Sequence, residues 1–508
     1  MIATELASRR NKIRPMGGRF RRHAGLGLVL ALALAAACSD DGGGDAARAS
    51  EGTAGSTAGG NGGEEVVLDE NGLADGLPVG LVSRADGALD GYTLYSPLTQ
   101  ETTYLVDMDG DVVHEWQHET QPGLYQYLEE TGNLLRTSRA RLPSRIDANG
   151  FGGVVEEVDW DGNVVWSFEY GNDDVMQHHD IERLPNGNVL ILAWEYRSGD
   201  EAIAAGRDPE LLPDGEVWPD HVVEYDPAAD AIVWEWRVWD HLVQDVDETK
   251  ANYGDVAASP GKIDINYSPN QSLQTPGEAD WNHANSIAYN PELDQIAISL
   301  RSFDEFWIID HGTTTEEAAG PAGDLLFRYG NPATYQRGDL DDRALYAQHD
   351  VEWIADGFDG AGNIMVFNNG RPGARPYSSV DEVIPVMEDG EYVLDENGVF
   401  AAEIERVHPP EDDEESQVLA AIISGSQRLP NGNTLLNYGT HGRIIEVTPD
   451  GEVVWDYVNP YFTLRPQTPR DNFNFELFPW RTFRAERYPA DYPAFAGRDL
   501  TPPEQPGG

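Results

Sequence analysis

The chain holds one cysteine and three lysines in 508 residues. With Cys38 alone, no intrachain disulfide can form. Lys12, Lys250 and Lys262 are the only lysines, so arginine supplies nearly all the positive charge. That charge is scarce: 34 basic groups face 89 acidic ones, for a net charge of −55. Residues 1–37 carry seven basic groups and one acidic group, which leaves about −61 on the rest. Such a surface repels nucleic acid and anionic lipid, and excludes both as partners. An acid-rich, lysine-poor surface fits a saline habitat and equally a compositional bias toward arginine. Also missing are a phosphate-binding loop, a dinucleotide fingerprint, a Cys-x-x-Cys pair and a Gly-x-Ser-x-Gly elbow. Nucleotide-driven, redox and serine-hydrolase chemistries therefore have no sequence support.

Long apolar runs are lacking too. Ala24–Ala37, "AGLGLVLALALAAA", is short for a bilayer span. It follows a basic segment (Arg9 to Arg22) and ends in small residues before Cys38, the pattern of a secretory leader. "LAAAC" resembles a bacterial lipoprotein signal, with residues 1–37 removed and Cys38 lipidated. An ordinary signal peptide with an incidental cysteine is the alternative. Either way the protein is expected outside the cytoplasm, on the periplasmic or cell-surface side of the envelope, with membrane contact through the lipid alone. Residues 38–76 are rich in Gly, Ser, Ala and Asp and read as a disordered tether. A folded domain is expected over 77–490 and a Pro-rich, irregular tail over 491–508.

What is plentiful is glycine (53), proline (32) and tryptophan (13), which suits short strands, many turns and aromatic packing between sheets. One hairpin type recurs as "TTYLVDMDGDVVHEW" (102–116), "VVEEVDWDGNVVWSFEY" (154–170) and "RIIEVTPDGEVVWDYV" (443–458). Asp-Gly between alternating runs is a strong hairpin signal. Segments 221–238, 306–330 and 400–423 read as variants of it. A second type alternates with the first, as in "HHDIERLPNGNVLILAW" and "SGSQRLPNGNTLLNYG". "GYTLYSPL" stands alone near the start, placed to close a ring with the chain's end. Two hairpins per sheet and six such sheets predict an all-β fold, a six-bladed β-propeller of four-stranded blades. A pair of β-sandwiches is the competing architecture.

Counting back from the turns, His179 precedes Asn186 by seven residues, His283 precedes Asn290 by seven, and His349 precedes Asp356 by seven. In the next unit Ser424 stands seven before Asn431. Three consecutive units therefore place histidine at one shared position, expected to converge on one end of the axis. A structural role, in which His beside Asp braces neighbouring strands, is the alternative, and His178 on the opposite face of its strand suits that role better. Asn285 shares the face of His283, and Arg301 interrupts an apolar return strand. Guanidinium offers a planar fork of donors that suits sulfate or phosphate oxygens. Neutral imidazole serves as nucleophile or as general acid and base near neutral pH. A three-histidine metal site is a competing reading, against which the nearby Arg301 argues, with Asp180 and Asp350 as candidate partners behind the ligands.

Together, "GYTLYSPL", "TYLVDMDGDVVHEW", "HHDIERLPNGNVLIL", "HANSIAYN", "ISLRS" and "QHD" make residues 91–460 resemble the bacterial arylsulfate sulfotransferases. The resemblance implies a six-bladed propeller that moves a sulfuryl group from an aryl sulfate donor to a phenol acceptor by a ping-pong route, with no nucleotide donor or other cofactor and no metal. It implies that His349 is the nucleophile that becomes sulfated. His179, His283 and Asn285 become sulfuryl- or phenol-facing groups, and Arg301 the sulfate-binding arginine. The chain departs from the family's periplasmic members in lacking a folded N-terminal β domain and a cysteine pair. Thr440 and His441 are further candidates for lining the channel. Two other functions stay open: a non-catalytic propeller that binds an anion or a protein, and a three-histidine metal-dependent hydrolase.

Overall fold

Each Asp-Gly turn reverses the chain as its residues dictate. Gly110 and Gly162 sit at φ of +83° and +85°, a region that strains any side chain. Asp107 Oδ1 accepts hydrogen bonds from the backbone N–H groups of Asp109 and Asp111, at 2.9 and 3.0 Å, and so fixes the first turn. The computed structural model describes residues 79–140, 142–268, 279–410, 417–462 and 480–503. They fall within one compact unit, Glu65–Gly508. The leader 1–37, Cys38, the tether 38–76 and the last tail residues, 504–508, lie outside the described residues.

The protein is all-β, with small sheets in a propeller-like arrangement. Strand Thr482–Pro489 begins the first unit and pairs with Gly91–Pro97, followed by Thr102–Val106 and Val112–Gln117. The last strand of the chain thus joins one of the first: Gly91 faces Pro489 and Tyr95 faces Ala485. This is the closure expected of "GYTLYSPL". Next comes an eight-stranded sheet whose two antiparallel halves touch through one parallel pair, Leu124 with His179. Its halves are Pro122–Leu128 to Val164–Glu169, and Val175–Arg183 to Ala231–Arg237. The following units open with Ala284–Asn290, His349–Trp353 and Gly425–Arg428. Gly80–Arg84 adds an outermost strand to the last of them, against Val453–Val458.

The tryptophans of the Asp-Gly hairpins pack between neighbouring units. Trp116 donates its indole N–H to the Asp159 carbonyl in the next unit's turn (3.2 Å), and Trp455 donates to that of Met108 (3.1 Å). Both rings are fully buried, which combines a large apolar area with a satisfied polar edge.

Two sequence expectations change. Segment 400–423 forms no hairpin among its described residues: Ala402–His408 pairs instead with Ser379–Pro385. A small extra hairpin, Met387–Glu388 with Glu391–Tyr392, separates these partners in sequence and hides their pairing. The tail is also not loose where it is described. Tyr492 and Phe495 pack onto the first unit, with the Phe495 ring 4.8 Å from that of Tyr92, and the Arg498 guanidinium lies 4.0 Å over Trp160.

Candidate active site

The first strands of four consecutive units, Val175–Arg183, Ala284–Asn290, His349–Trp353 and Gly425–Arg428, lie beside one another, and the histidines stand at or near their starts. The rungs of each hairpin fix the true levels: Ile181 faces Ile191, Ile287 faces Ile298, Val351 faces Val366 and Ser426 faces Leu436. Hydrogen bonds between units give the same levels. Asp180 Oδ2 accepts from the N–H of Ile287 (2.9 Å), Ser286 Oγ from that of Val351 (2.9 Å), and Asp350 Oδ2 from that of Ser426 (2.6 Å). Two residues earlier stand His179, Asn285, His349 and Ser424. The shared position in the middle unit is therefore Asn285, and His283 lies two residues before it. The count from the turn failed because Asn290 is still a strand residue, paired with Gln295, whereas Asn186, Asp356 and Asn431 lie in the turns beyond the last pair.

His283 reaches the site all the same. Its backbone turns left-handed (φ +52°), as does that of His179 (φ +50°), and a bulge lies between Ala284 and Ser286. The rings of His179 and His283 meet edge to face with centroids 4.8 Å apart. Phe483 lies beside His179 and His349, 6.1 Å from the first ring and 6.4 Å from the second. All three histidines are buried. Burial pushes His179 and His349 well below the usual imidazole range, helped by His283 at the first and Arg301 at the second. Both rings are neutral at neutral pH.

The partners of His349 select its tautomer. Nδ1 faces Asn369 Oδ1 (2.8 Å) and the Ala347 carbonyl (3.1 Å), two acceptors, so Nδ1 carries the proton. Nε2 then keeps its lone pair and accepts from the Ile423 N–H at 3.2 Å. A neutral imidazole with a fixed, unprotonated Nε2 is a competent nucleophile.

Arg301 opens a short 3-10 turn, Arg301–Phe303, just past the strand on which it was expected. It is 5% exposed, and among the described residues no hydrogen bond or ion pair closes on its guanidinium. Burial, with Arg371 adding repulsion, pulls it down to about 10, so it remains charged at neutral pH. A buried guanidinium without an acceptor is costly unless something anionic enters. Asn285 donates to the Gln348 carbonyl (2.8 Å), while its Oδ1 is buried without a partner. Thr440 and His441 bond each other (3.1 Å) in a turn whose first residue, Gly439, donates its N–H to Ser424 Oγ (3.0 Å).

Several participants escaped the sequence reading. Asp280 Oδ2 sits 2.6 Å from His283 Nδ1. Asn369 orients His349. Asn282, beside His283, is fully buried with both amide atoms unpartnered. Arg371 binds Asp304 Oδ1 (2.8 Å) and has an unpartnered, buried Nη1. Asp280 and Asn282 stand just before His283, and Asn369 and Arg371 come from a loop distant in sequence; nothing in their local sequence marks them. Asp180 and Asp350, weighed as metal-site partners, instead hold Arg484 at 2.8 and 2.6 Å. Among the described residues, no group of three His, Cys, Asp or Glu side chains is arranged as a metal site.

No curated protein matches the chain. Among solved structures, a protein of unknown function from Bacteroides caccae shares 11% identity at a TM-score of 0.40, covering 78% of this chain and 98% of its own. Streptogramin B lyase shares 10% identity at 0.35, covering 77% and 84%. Virginiamycin B lyase from Staphylococcus aureus shares 8% at 0.35, covering 75% and 88%. Likeness at this level carries no functional argument. The model of one family, Arylsulfotransferase (ASST), matches residues 84–454, from the first strand through every histidine described above. The chain belongs to the arylsulfotransferase family.

Proposed function

We propose that the protein transfers a sulfuryl group from a phenolic sulfate ester to an acceptor phenol, in two steps, through a sulfohistidine at His349. The observation that carries this reading is the pairing of an unprotonated, buried His349 Nε2 with a buried Arg301 whose charge has no acceptor. Family membership supports sulfuryl transfer in general.

In the first step the donor's sulfonate lies against Arg301, His283 and Asn285. His349 Nε2 attacks sulfur, the S–O bond to the phenol breaks, and His179 protonates the departing oxygen. In the second step an acceptor phenol gives its proton to His179 and takes the sulfuryl group from His349. The chemistry needs no nucleotide donor. Fixed donors around the transferring group act where charge changes during reaction. We read the propeller-like sheets, with the eight-stranded one counted as two, as six blades closed into a ring, with this site at one end of their axis. Cys38 is read as a lipid anchor that places the protein on the periplasmic or outer side of the envelope.

Intact mass spectrometry after mixing with a chromogenic phenyl sulfate, without acceptor, tests the reading. A gain of about 80 Da on the His349 peptide, discharged by added phenol, is expected of a covalent sulfuryl-enzyme. His349→Ala removes both adduct and transfer while the fold persists. Anion binding to Arg301 without adduct or phenol release would instead favour a non-catalytic binding protein.

A further inference from the structure

The sulfuryl transfer proposed above has a proton problem. The first half-reaction consumes a proton on the leaving phenolate, and the second returns one from the acceptor phenol. Between them the proton leaves His179, and that ring is buried among His178, His283 and Arg301, which disfavour a second charge.

A chain of three groups runs from His179 away from the reacting atoms. His179 Nδ1 faces His178 Nδ1 at 2.9 Å. His178 Nε2 stands 2.9 Å from Asp220 Oδ1, off the line of the ring N–H, and neither atom has another hydrogen-bond partner. The other oxygen, Asp220 Oδ2, accepts the Ala284 N–H at 3.0 Å, one residue from His283. All three side chains are buried, and His178 is stacked on Trp194 with centroids 3.8 Å apart. Hydrogen bonds that run off line in a resting site commonly straighten once substrate is bound.

We propose that Asp220 and His178 are positioning residues that hold the travelling proton of the transfer and return it through His179. Two adjacent nitrogens, the Nδ1 atoms of His178 and His179, must share one proton. When Asp220 is protonated, it donates to His178 Nε2. His178 then donates from Nδ1 to His179, and His179 carries its own proton on Nε2, ready for the leaving phenolate. With that donation the two remaining protons shift by one place each, from His178 Nδ1 to His179 Nδ1 and from Asp220 to His178 Nε2, and Asp220 is left as the carboxylate. His178 now donates from Nε2 and His179 from Nδ1, so His179 Nε2 is a base, ready for the acceptor phenol. The second half-reaction runs the shifts backward. No atom, electron or water enters, and His179 never becomes a cation. Burial and the nearby Asp280 carboxylate raise Asp220 well above the usual carboxylate range, which suits a group that must hold a proton at neutral pH.

This inference rests on the transfer reading, and the choice of donor separates the two. A nitrophenyl sulfate releases a stable phenolate that needs no proton, whereas an alkyl-substituted phenyl sulfate does not. The measurement is kcat/KM for each donor, with acceptor saturating, for the wild type, Asp220→Asn and His178→Phe. The phenyl ring preserves the stack on Trp194, and both variants are checked by thermal melting. In each variant the alkylphenyl donor should slow by about 10²-fold or more while the nitrophenyl donor slows by less than about tenfold, the span expected for general acid help. Should Asp220→Asn fail to fold, His178→Phe carries the test. Equal slowing of both donors in a folded variant overturns the relay and leaves the transferase reading intact. Failure of the wild type to release phenol from either donor overturns the transferase reading itself.

Discussion

Asn369 Oδ1 lies 2.8 Å from His349 Nδ1 because the amide's other end is already committed. Its Nδ2 donates to the carbonyls of Ala420 (2.6 Å) and Ile423 (2.7 Å), so the amide cannot flip without losing both. The amide thus keeps Nδ1 protonated and Nε2 unprotonated. Asn369→Ala is expected to slow formation of the sulfohistidine by about 10²- to 10⁴-fold, the range seen when a catalytic imidazole loses its orienting acceptor or its tautomer. Donor KM should change little, because the amide is directed at His349 and two backbone carbonyls. Single-turnover phenol release separates the two effects.

Arg301 gives the opposite signs for activity and stability. Its buried guanidinium lacks an acceptor, and Arg371 repels it. Replacing it with a flexible apolar chain of similar length relieves the desolvation and removes the anion site together. Arg301→Met is expected to melt at or above the wild-type temperature and to lose about 10²-fold or more in kcat/KM. Arg301→Lys keeps a charge but not the planar fork, and recovers only part of the loss. Melting curves and steady-state rates on one preparation check both signs.

The strand-turn-strand grammar was legible because it is local. Asp-Gly turns, alternation and the partner-seeking "GYTLYSPL" foretold the hairpins and the joining of the chain's two ends. The register of the histidines was half legible. Counting from the turn placed His179 and His349 correctly, but Asn290 is the last paired residue of its strand and not a turn residue, so the count fell on His283 and missed Asn285 at the shared level. Long-range pairings left no local mark. Ser379–Pro385 was hidden by an inserted hairpin. Asn369, Asp220 and Asp280 reach the histidines from loops or strand ends whose sequence is unremarkable. Phe495 looked like tail, and is buried by Tyr92, Tyr488 and Tyr492.

Arg484 ties two units together behind the histidines. It pairs with Asp180 at 2.8 Å and Asp350 at 2.6 Å, and its guanidinium lies 4.3 Å over the Tyr125 ring. Both carboxylates also accept backbone N–H groups of the next unit, so they cannot move away. Arg484→Met leaves two buried carboxylates without a cation. The expected cost is about 3–5 kcal/mol, the usual penalty for breaking a buried pair. Equilibrium denaturation should show the loss, and the denaturant midpoint should recover in part at low pH, where the carboxylates are protonated.

Glu182 makes stability fall as pH rises. It follows Asp180 by two residues on the same inner strand, and no hydrogen bond satisfies it among the described residues. Burial, reinforced by repulsion from Asp180, pushes its carboxyl up to about 8. Burial and repulsion from Asp350 raise Glu486 to about 7, although the Tyr125 hydroxyl donates to it at 2.9 Å. Each folded-state value is above the ordinary carboxylate value, so the folded protein binds protons that the unfolded chain has released. Their stabilising contribution is therefore complete below the ordinary carboxylate range and is lost as pH rises to about 8. The buried histidines act in the other direction, since their folded-state values are lowered and protonation of the unfolded chain weakens the fold in acid. Glu182→Gln isolates the first effect. The variant should exceed the wild type in stability at pH 8, and the difference should shrink steadily toward pH 5. Denaturant midpoints at four pH values measure it, and a difference that stays constant across them would show that Glu182 is ionised in the folded protein throughout.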